Sequence, residues 1–327
     1  MPAGAALLLD PVYKRHWTGS AHPERPERYD AIAMALERSG LAQTLLRIQP
    51  RAARGDEIAL CHTRLYIELA RREIESGATE LTTGDTTVCE ATLEIAQLAA
   101  GGVLNAVDAV FSGVARNAFC AVRPPGHHAT SDRGMGFCVF NNVALAARYA
   151  QQKYGAARVL IADWDVHHGN GTQDIFYRDG TVLYFSTHQS PWYPGTGHPS
   201  ETGEGPGEGA TLNCPFPAGA GRAEILGAFE ERLRRAAAKF RPDFVLISAG
   251  FDSRLDDPLG RFTLDDQDFA DLTRLLLEVA GQYAGGRLVS VLEGGYALSG
   301  LGSAVAAHVK ALAAPYTESG NVLPPRR

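Results

Sequence analysis

The sequence predicts an α/β fold, a parallel sheet flanked by helices on both faces. Six short apolar runs carry that expectation: ALLLD from Ala6, FCAVRPP from Phe119, RVLIADWD from Arg158, VLYFSTH from Val182, DFVLISAGFD from Asp243 and RLVSVLEGGY from Arg287. Each is bounded by Gly, Pro or Asp and reads as a strand. The runs are apolar without alternation, as strands covered on both faces must be, because neither face meets water. Helical patterns lie between them, and in such open α/β folds ligands sit outside the carboxyl ends of the strands. Polar residues gather at those ends: His127 and His128 after FCAVRPP, acids and histidines after RVLIA, Asp252 after VLISAGF, and Tyr296 after RLVSVLEGG.

Taken in order, the first strand is the run from Ala6, and FCAVRPP is the next. The stretch NNVALAARYAQQKYG follows as a helix, with Asn141 or Asn142 as N-cap and Gly155 as its stop. RVLIADWD and VLYFSTH are the next two strands. Tyr193 to Gly221 is Gly-rich and Pro-dotted and reads as one long loop, of a length that is more often functional than not in a compact domain. DFVLISAGFD precedes a second helix, TLDDQDFADLTRLLLEVAGQYAGG, with Thr263 to cap it, Asp265 and Asp266 in its first turn and a Gly pair as exit. RLVSVLEGGY is the last strand, a helix around Ala304 to Leu312 follows, and 315–327 form a loosely held tail. No repeat or linker divides the chain, so one domain is expected over 1–327, with 5–314 as its core.

A formal net charge of -6 and no Lys/Arg run longer than a pair give no footprint for nucleic acid. The five cysteines are odd in number, widely spaced and form no CxxC pair, which indicates neither a disulfide framework nor a thiolate zinc site and suits a reducing compartment. AALLLDP is too short for a signal sequence, and no run approaches the ~18 apolar residues of a membrane span. A soluble, cytoplasmic protein is expected, with no membrane partner and homo-oligomer formation left open.

The acid and histidine cluster reads as a metal site. Asp165 and His167 are separated by one residue, so on an extended strand end their side chains share a side. A catalytic zinc takes three protein ligands and leaves a position open for water. Asp252 is the best third ligand, since an acid behind a buried strand is costly unless paired or metal-bound.

These residues sit within motifs that run in order along most of the chain: HPERPER from His22, RPPGHHA from Arg123, GFCVFNN from Gly136, DWDVHHGNGTQ from Asp163, YPGTG from Tyr193, ETGEGPGEG from Glu201, SAGFDSRLDDPLG from Ser248 and LEGGY from Leu292. In these the chain resembles the histone deacetylase and acetylpolyamine amidohydrolase superfamily, in its class II-like, bacterial-type branch. The resemblance implies a single-domain arginase/deacetylase-like fold and a zinc-dependent deacetylase. Asp165, His167 and Asp252 would be the ligands of Zn2+, with Fe2+ as an alternative ion in the cell. His127 and His128 would be the paired catalytic histidines, Asp163 buttressing the first and Asn170 the second, and Tyr296 would assist the substrate carbonyl. Which histidine transfers the proton stays open. Gly136, Phe137 and Tyr193 would line a tunnel for an acyl-lysine stem, and His168 would be structural.

The resemblance also implies a monovalent cation, K+ or Na+, near Asp163 to His167 and Ser186. Leu259 stands at the gate where a polyamine-selective relative carries Glu, and an apolar gate offers a polycation no charge-assisted attraction. The expected substrate is therefore an acylated lysine peptide or a small N-acyl amine. Acetylpolyamine deacetylation on the same mechanism is the alternative, and a non-catalytic relative that binds acyl-amines or a protein is the weaker one. A pure binder needs no complete set of ligands, histidines and tyrosine.

Overall fold

The structure, a computed structural model, describes residues 4–314. The expected tail, 315–327, lies outside the described residues. Its strands are β1 (Ala5–Leu8), β2 (Leu46–Arg47), β3 (Asn117–Cys120), β4 (Val159–Asp163), β5 (Val182–Gln189), β6 (Thr211–Phe216), β7 (Phe244–Ala249) and β8 (Leu288–Leu292). They form one sheet in the order β2-β1-β3-β8-β7-β4-β5-β6, and every pairing is parallel. The fold is the expected α/β arrangement.

The two-residue period of a strand divides the core in two. Leu160 and Ala162 of β4 enter one apolar layer with Val245 and Ile247 of β7. Val159 and Ile161 enter the other with Phe244 and Leu246. Helices Glu27–Arg38, Asp266–Tyr283 and Leu298–Ala313 cover the first face. Helices Arg64–Glu75, Thr92–Phe111 and Asn142–Tyr154 cover the second. Fully burying a Leu, Ile or Phe stabilises by roughly 2 kcal/mol, which is why the runs need no polar face.

Asn141 caps its helix, its side chain accepting from Ala144 N, and Gly155 ends it at φ 68°. The helix after β7 starts differently from expectation. Its N-cap is Asp265, which closes a reciprocal capping box with Asp268. Thr263 lies before it, and an ionised carboxylate at the cap accepts N–H groups and suits the positive end of the helix dipole.

Two strands were not expected. β2 is a two-residue exposed edge, and β6 lies inside the stretch expected to be loop throughout. Its Pro215 is tolerated because β6 is the last strand of the sheet. Thr92–Phe111 corrects the statement that no run approaches a membrane span: its best window has mean hydropathy 1.3, long and apolar enough by composition. Here 61% of that window is buried inside the protein, where the helix packs on β1, β3 and β8.

Candidate active site

β4 delivers the cluster. Asp163 is its last residue, after which the chain bends rather than continuing extended. Asp165 and His167 therefore meet for a different reason than strand alternation. The Asp165 Oδ1 accepts the His167 backbone N–H at 2.9 Å, folding the turn so that His167 Nδ1 lies 3.0 Å from the same oxygen. β7, the neighbour of β4, brings Asp252 Oδ2 to 3.1 Å from His167 Nδ1. Backbone donors hold both acids: Gly294 N–H gives to Asp165 Oδ2 at 2.8 Å, and Val166 N–H to Asp252 Oδ1 at 2.9 Å. The backbone at Gly294 must come this close, since a Cβ there would stand 2.0 Å from Asp252 Oδ2.

The three side chains fit a divalent cation. One donor atom from each lies within 4.8 Å of the others, and all three residues are buried. Among the described residues neither carboxylate pairs with Lys or Arg; their only charged partners are histidines. Two carboxylates and an imidazole nitrogen are a donor set that zinc or iron(II) accepts. Burial raises the pKa of Asp252 to about 7, with the charge of Asp165 beside it adding to the effect. The pair is thus costly to hold ionised without a cation.

The paired histidines follow β3. His127 Nδ1 lies 3.0 Å from Asp163 Oδ2, which also accepts from the Tyr184 hydroxyl at 3.1 Å. His128 Nδ1 lies 2.8 Å from Asn170 Oδ1, and the two rings are 4.0 Å apart. Their environments push them in opposite directions. Burial opposes charge on His127, but the carboxylates of Asp165, Asp163 and Glu293 outweigh it and raise its pKa to about 10. Burial, reinforced by His127 and His167, drives the pKa of His128 well below 6.5. With Asn170 accepting at Nδ1, neutral His128 keeps Nε2 free to take a proton.

Tyr296, after β8, shares a cavity of about 250 Å³ with His128 and His167. Burial raises its phenol well above 10, so it stays a hydrogen-bond donor. Gly136, Phe137, Tyr193 and Leu259 all line the same cavity. Gly136 has φ 57° and a Cβ there would stand 2.3 Å from the His128 ring. Phe137 also lies in the left-handed region, at φ 68°, a strained conformation for a bulky residue of the kind that clusters at functional sites. His168 has both ring nitrogens engaged, with Thr196 at 2.7 Å and Gln173 at 3.0 Å. A larger groove, about 500 Å³, between β6 and the helical stretch 222–240 contains none of these groups.

The histone deacetylase domain profile matches residues 22–312. The chain belongs to the histone deacetylase family. It is 38% identical to a probable deacetylase of Archaeoglobus fulgidus over 316 residues, 96% of this chain and 84% of that one. It is 43% identical to histone deacetylase 10, chloroplastic, of Oryza sativa subsp. japonica, across 88% of this chain and 68% of that one. Identity to the polyamine deacetylase HDAC10 of Homo sapiens is 42%, across 88% of this chain and 44% of the relative. The solved structure of the HDA15 HD domain superposes with TM-score 0.90 at 38% identity, covering 95% of this chain and 88% of that one.

This histone deacetylase-family hydrolase has further residues in its site that sequence reasoning missed. Asp85 and Trp192 line the cavity; Asp85 Oδ1 accepts from Gly136 N–H at 2.6 Å and lies 3.3 Å from the Tyr193 hydroxyl. Glu293 Oε2 accepts from Gly126 N–H at 2.7 Å and His127 N–H at 3.1 Å, fixing the turn that carries both histidines. Its signal was present in LEGGY, an acid directly behind a buried strand. Asp85 had none, since it stands in a turn far from the other motifs.

Proposed function

We propose that this protein is a zinc-dependent deacylase that hydrolyses acetyl-lysine-type N-acyl amides to amine and carboxylate. The observation that carries this reading is that His167 of the buried Asp165–His167–Asp252 cluster, His128 of the histidine pair and Tyr296 line one cavity, with His127 packed directly behind His128. Bound zinc, or iron(II), would supply Lewis acidity at the acyl oxygen. The other roles fall to the chain's own side chains. His128 Nε2 accepts the proton of the attacking water as the new C–O bond forms, and returns it to the nitrogen as the C–N bond breaks. His127, held by Asp163 at 3.0 Å, is placed to stabilise the negative charge that develops. The Tyr296 hydroxyl donates to the oxyanion. A K+ or Na+ ion beside Asp163 to His167 and Ser186 belongs to the same proposal, as does a cytoplasmic location.

A lysine-type stem is favoured over a polyamine by Leu259, whose apolar side chain lines the cavity. Asp85 is the one carboxylate among the lining residues, and its Oδ1 is already engaged by the Gly136 N–H and the Tyr193 hydroxyl. The polyamine reading is kept by the 42% identity to a relative named for that activity. Zinc-loaded protein should be assayed on an acetyl-lysine peptide beside acetylated spermidine and putrescine, with a hydroxamate and a chelator as controls. Peptide turnover abolished by the hydroxamate supports the reading; polyamine preference overturns the gate argument; no turnover of any of them points to a binding-only relative.

A further inference from the structure

Asp257 is a buried carboxylate outside the metal cluster, and both of its oxygens are engaged by backbone. Oδ1 accepts the N–H of Leu259 at 2.9 Å. Oδ2 accepts the N–H of Tyr296 at 2.7 Å and of Ala297 at 3.1 Å. One side chain thus joins the loop carrying the gate residue to the loop carrying the tyrosine, although the two are far apart in sequence. The gate is fixed from its other side too, since Trp192 Nε1 donates to the Leu259 carbonyl at 2.8 Å. Every atom of this bracket except Asp257 itself belongs to a residue that lines the cavity or adjoins one that does.

We propose that Asp257 is a positioning residue that holds Leu259 and Tyr296 in mutual register, so that a substrate stem seated against the gate meets the phenol at a fixed place. A carboxylate is needed for this geometry. It has acceptor capacity on both oxygens, whereas an amide turns one of them into a donor that would face backbone N–H groups. Ordinary helix capping is the competing role, because Ala297 is the N-cap of helix Leu298–Ala313. Capping alone would lower stability without acting through the tyrosine.

The test separates the two and has an arm independent of turnover; only its kinetic arm rests on the deacylase reading. In Asp257→Asn, hydrogen exchange should quicken in the peptides covering 257–260 and 295–298 together, while Trp192→Phe should quicken only the first. With acetyl-lysine peptide, Asp257→Asn should lower kcat roughly tenfold with KM changed less than about twofold. Combined with Tyr296→Phe, it should cost nothing further, because its effect is transmitted through that hydroxyl. An equal loss in both backgrounds, or exchange that quickens in only one of the two peptides, would overturn the proposal. If Asp257→Asn does not fold, Asp257→Ser, which keeps one small acceptor, takes the same measurements. Wild-type protein that turns over no substrate would defeat the deacylase reading, and the exchange arm would still decide the coupling.

Discussion

The guanidinium of Arg28 lies 4.9 Å from the centroid of the Tyr296 ring, in cation–π range. It donates from Nε to the Gly295 carbonyl and from Nη2 to the Glu293 carbonyl, each at 2.6 Å, and from Nη1 to Glu24 at 3.2 Å. A fully buried arginine thus clamps the loop on which the tyrosine stands. Lysine keeps the charge but not the planar fork. Arg28→Lys leaves at least one buried carbonyl unpaired and is expected to lower kcat/KM by ten- to a hundredfold, about 1.4–2.7 kcal/mol. Steady-state rates on the preferred substrate check this, and unchanged kcat/KM would remove Arg28 from the account.

Tyr296→Phe removes the donor and keeps the ring. The cost expected for one oxyanion donor is about 10²–10³ in kcat. Zinc content should be unchanged, because Asp165, His167 and Asp252 do not depend on that hydroxyl. The paired measurement is kcat beside metal analysis. Lost metal would reassign the effect to a damaged site.

Metal binding should stabilise the fold, since the ion relieves two buried carboxylates that have no Lys or Arg partner among the described residues. Stabilisation follows mass action, about 2.7 kcal/mol at a hundredfold excess of free metal over Kd. Zinc added to chelator-treated protein should raise Tm by several degrees in the wild type and much less in Asp252→Asn. Equal shifts in the two would place the binding elsewhere.

Much of this was legible in the sequence, for identifiable reasons. Strands buried on both faces are apolar throughout, so six of them stood out, and an acid or histidine behind such a strand has few explanations other than chemistry. β6 did not stand out because an edge strand tolerates Pro215 and polar residues, and its Gly-rich flanks read as loop. Asp165 and His167 do meet, but through a turn made by a side chain and not through strand alternation. Thr263 lost the cap to Asp265 for want of the reciprocal bond that Asp268 supplies. Asp85 lies outside every motif, and Arg28 and Asp257, though they stand within two of them, show no role in the sequence because their partners are backbone atoms brought close only by the fold.

Leu259→Glu places a carboxylate on the cavity wall. A charge-assisted bond to an ammonium contributes about 1.5–3 kcal/mol. The ratio of kcat/KM for acetylated spermidine over acetyl-lysine peptide should therefore rise by at least about tenfold. A ratio that does not move would show that Leu259 leaves the choice of stem to other residues.

His308 predicts how the fold responds to acid. It is fully buried between helices and sheet, and its ring contacts are Phe119, Trp164 and Phe251. Nδ1 lies 2.6 Å from the Thr273 hydroxyl, which itself donates to the Phe269 carbonyl, and Nε2 lies 2.9 Å from the Ser290 hydroxyl. That chain of bonds suits the neutral ring, with Nδ1 donating and Nε2 accepting. Burial alone lowers the pKa to about 3, and no charged group among the described residues contributes. An unfolded histidine titrates near 6.5. Between these values the unfolded chain binds a proton that the folded one refuses, so stability is complete above about pH 6.5 and falls as the pH drops towards the folded value. The share from this one group is roughly 2 kcal/mol between pH 7 and pH 5. His16 and His62, also buried and lowered to about 4, act in the same direction. Urea unfolding at the two pH values should show a smaller loss in His308→Gln than in the wild type, by about 2 kcal/mol, whatever the variant's stability at pH 7. An identical pH dependence in both proteins would mean that His308 accepts its proton in the folded state.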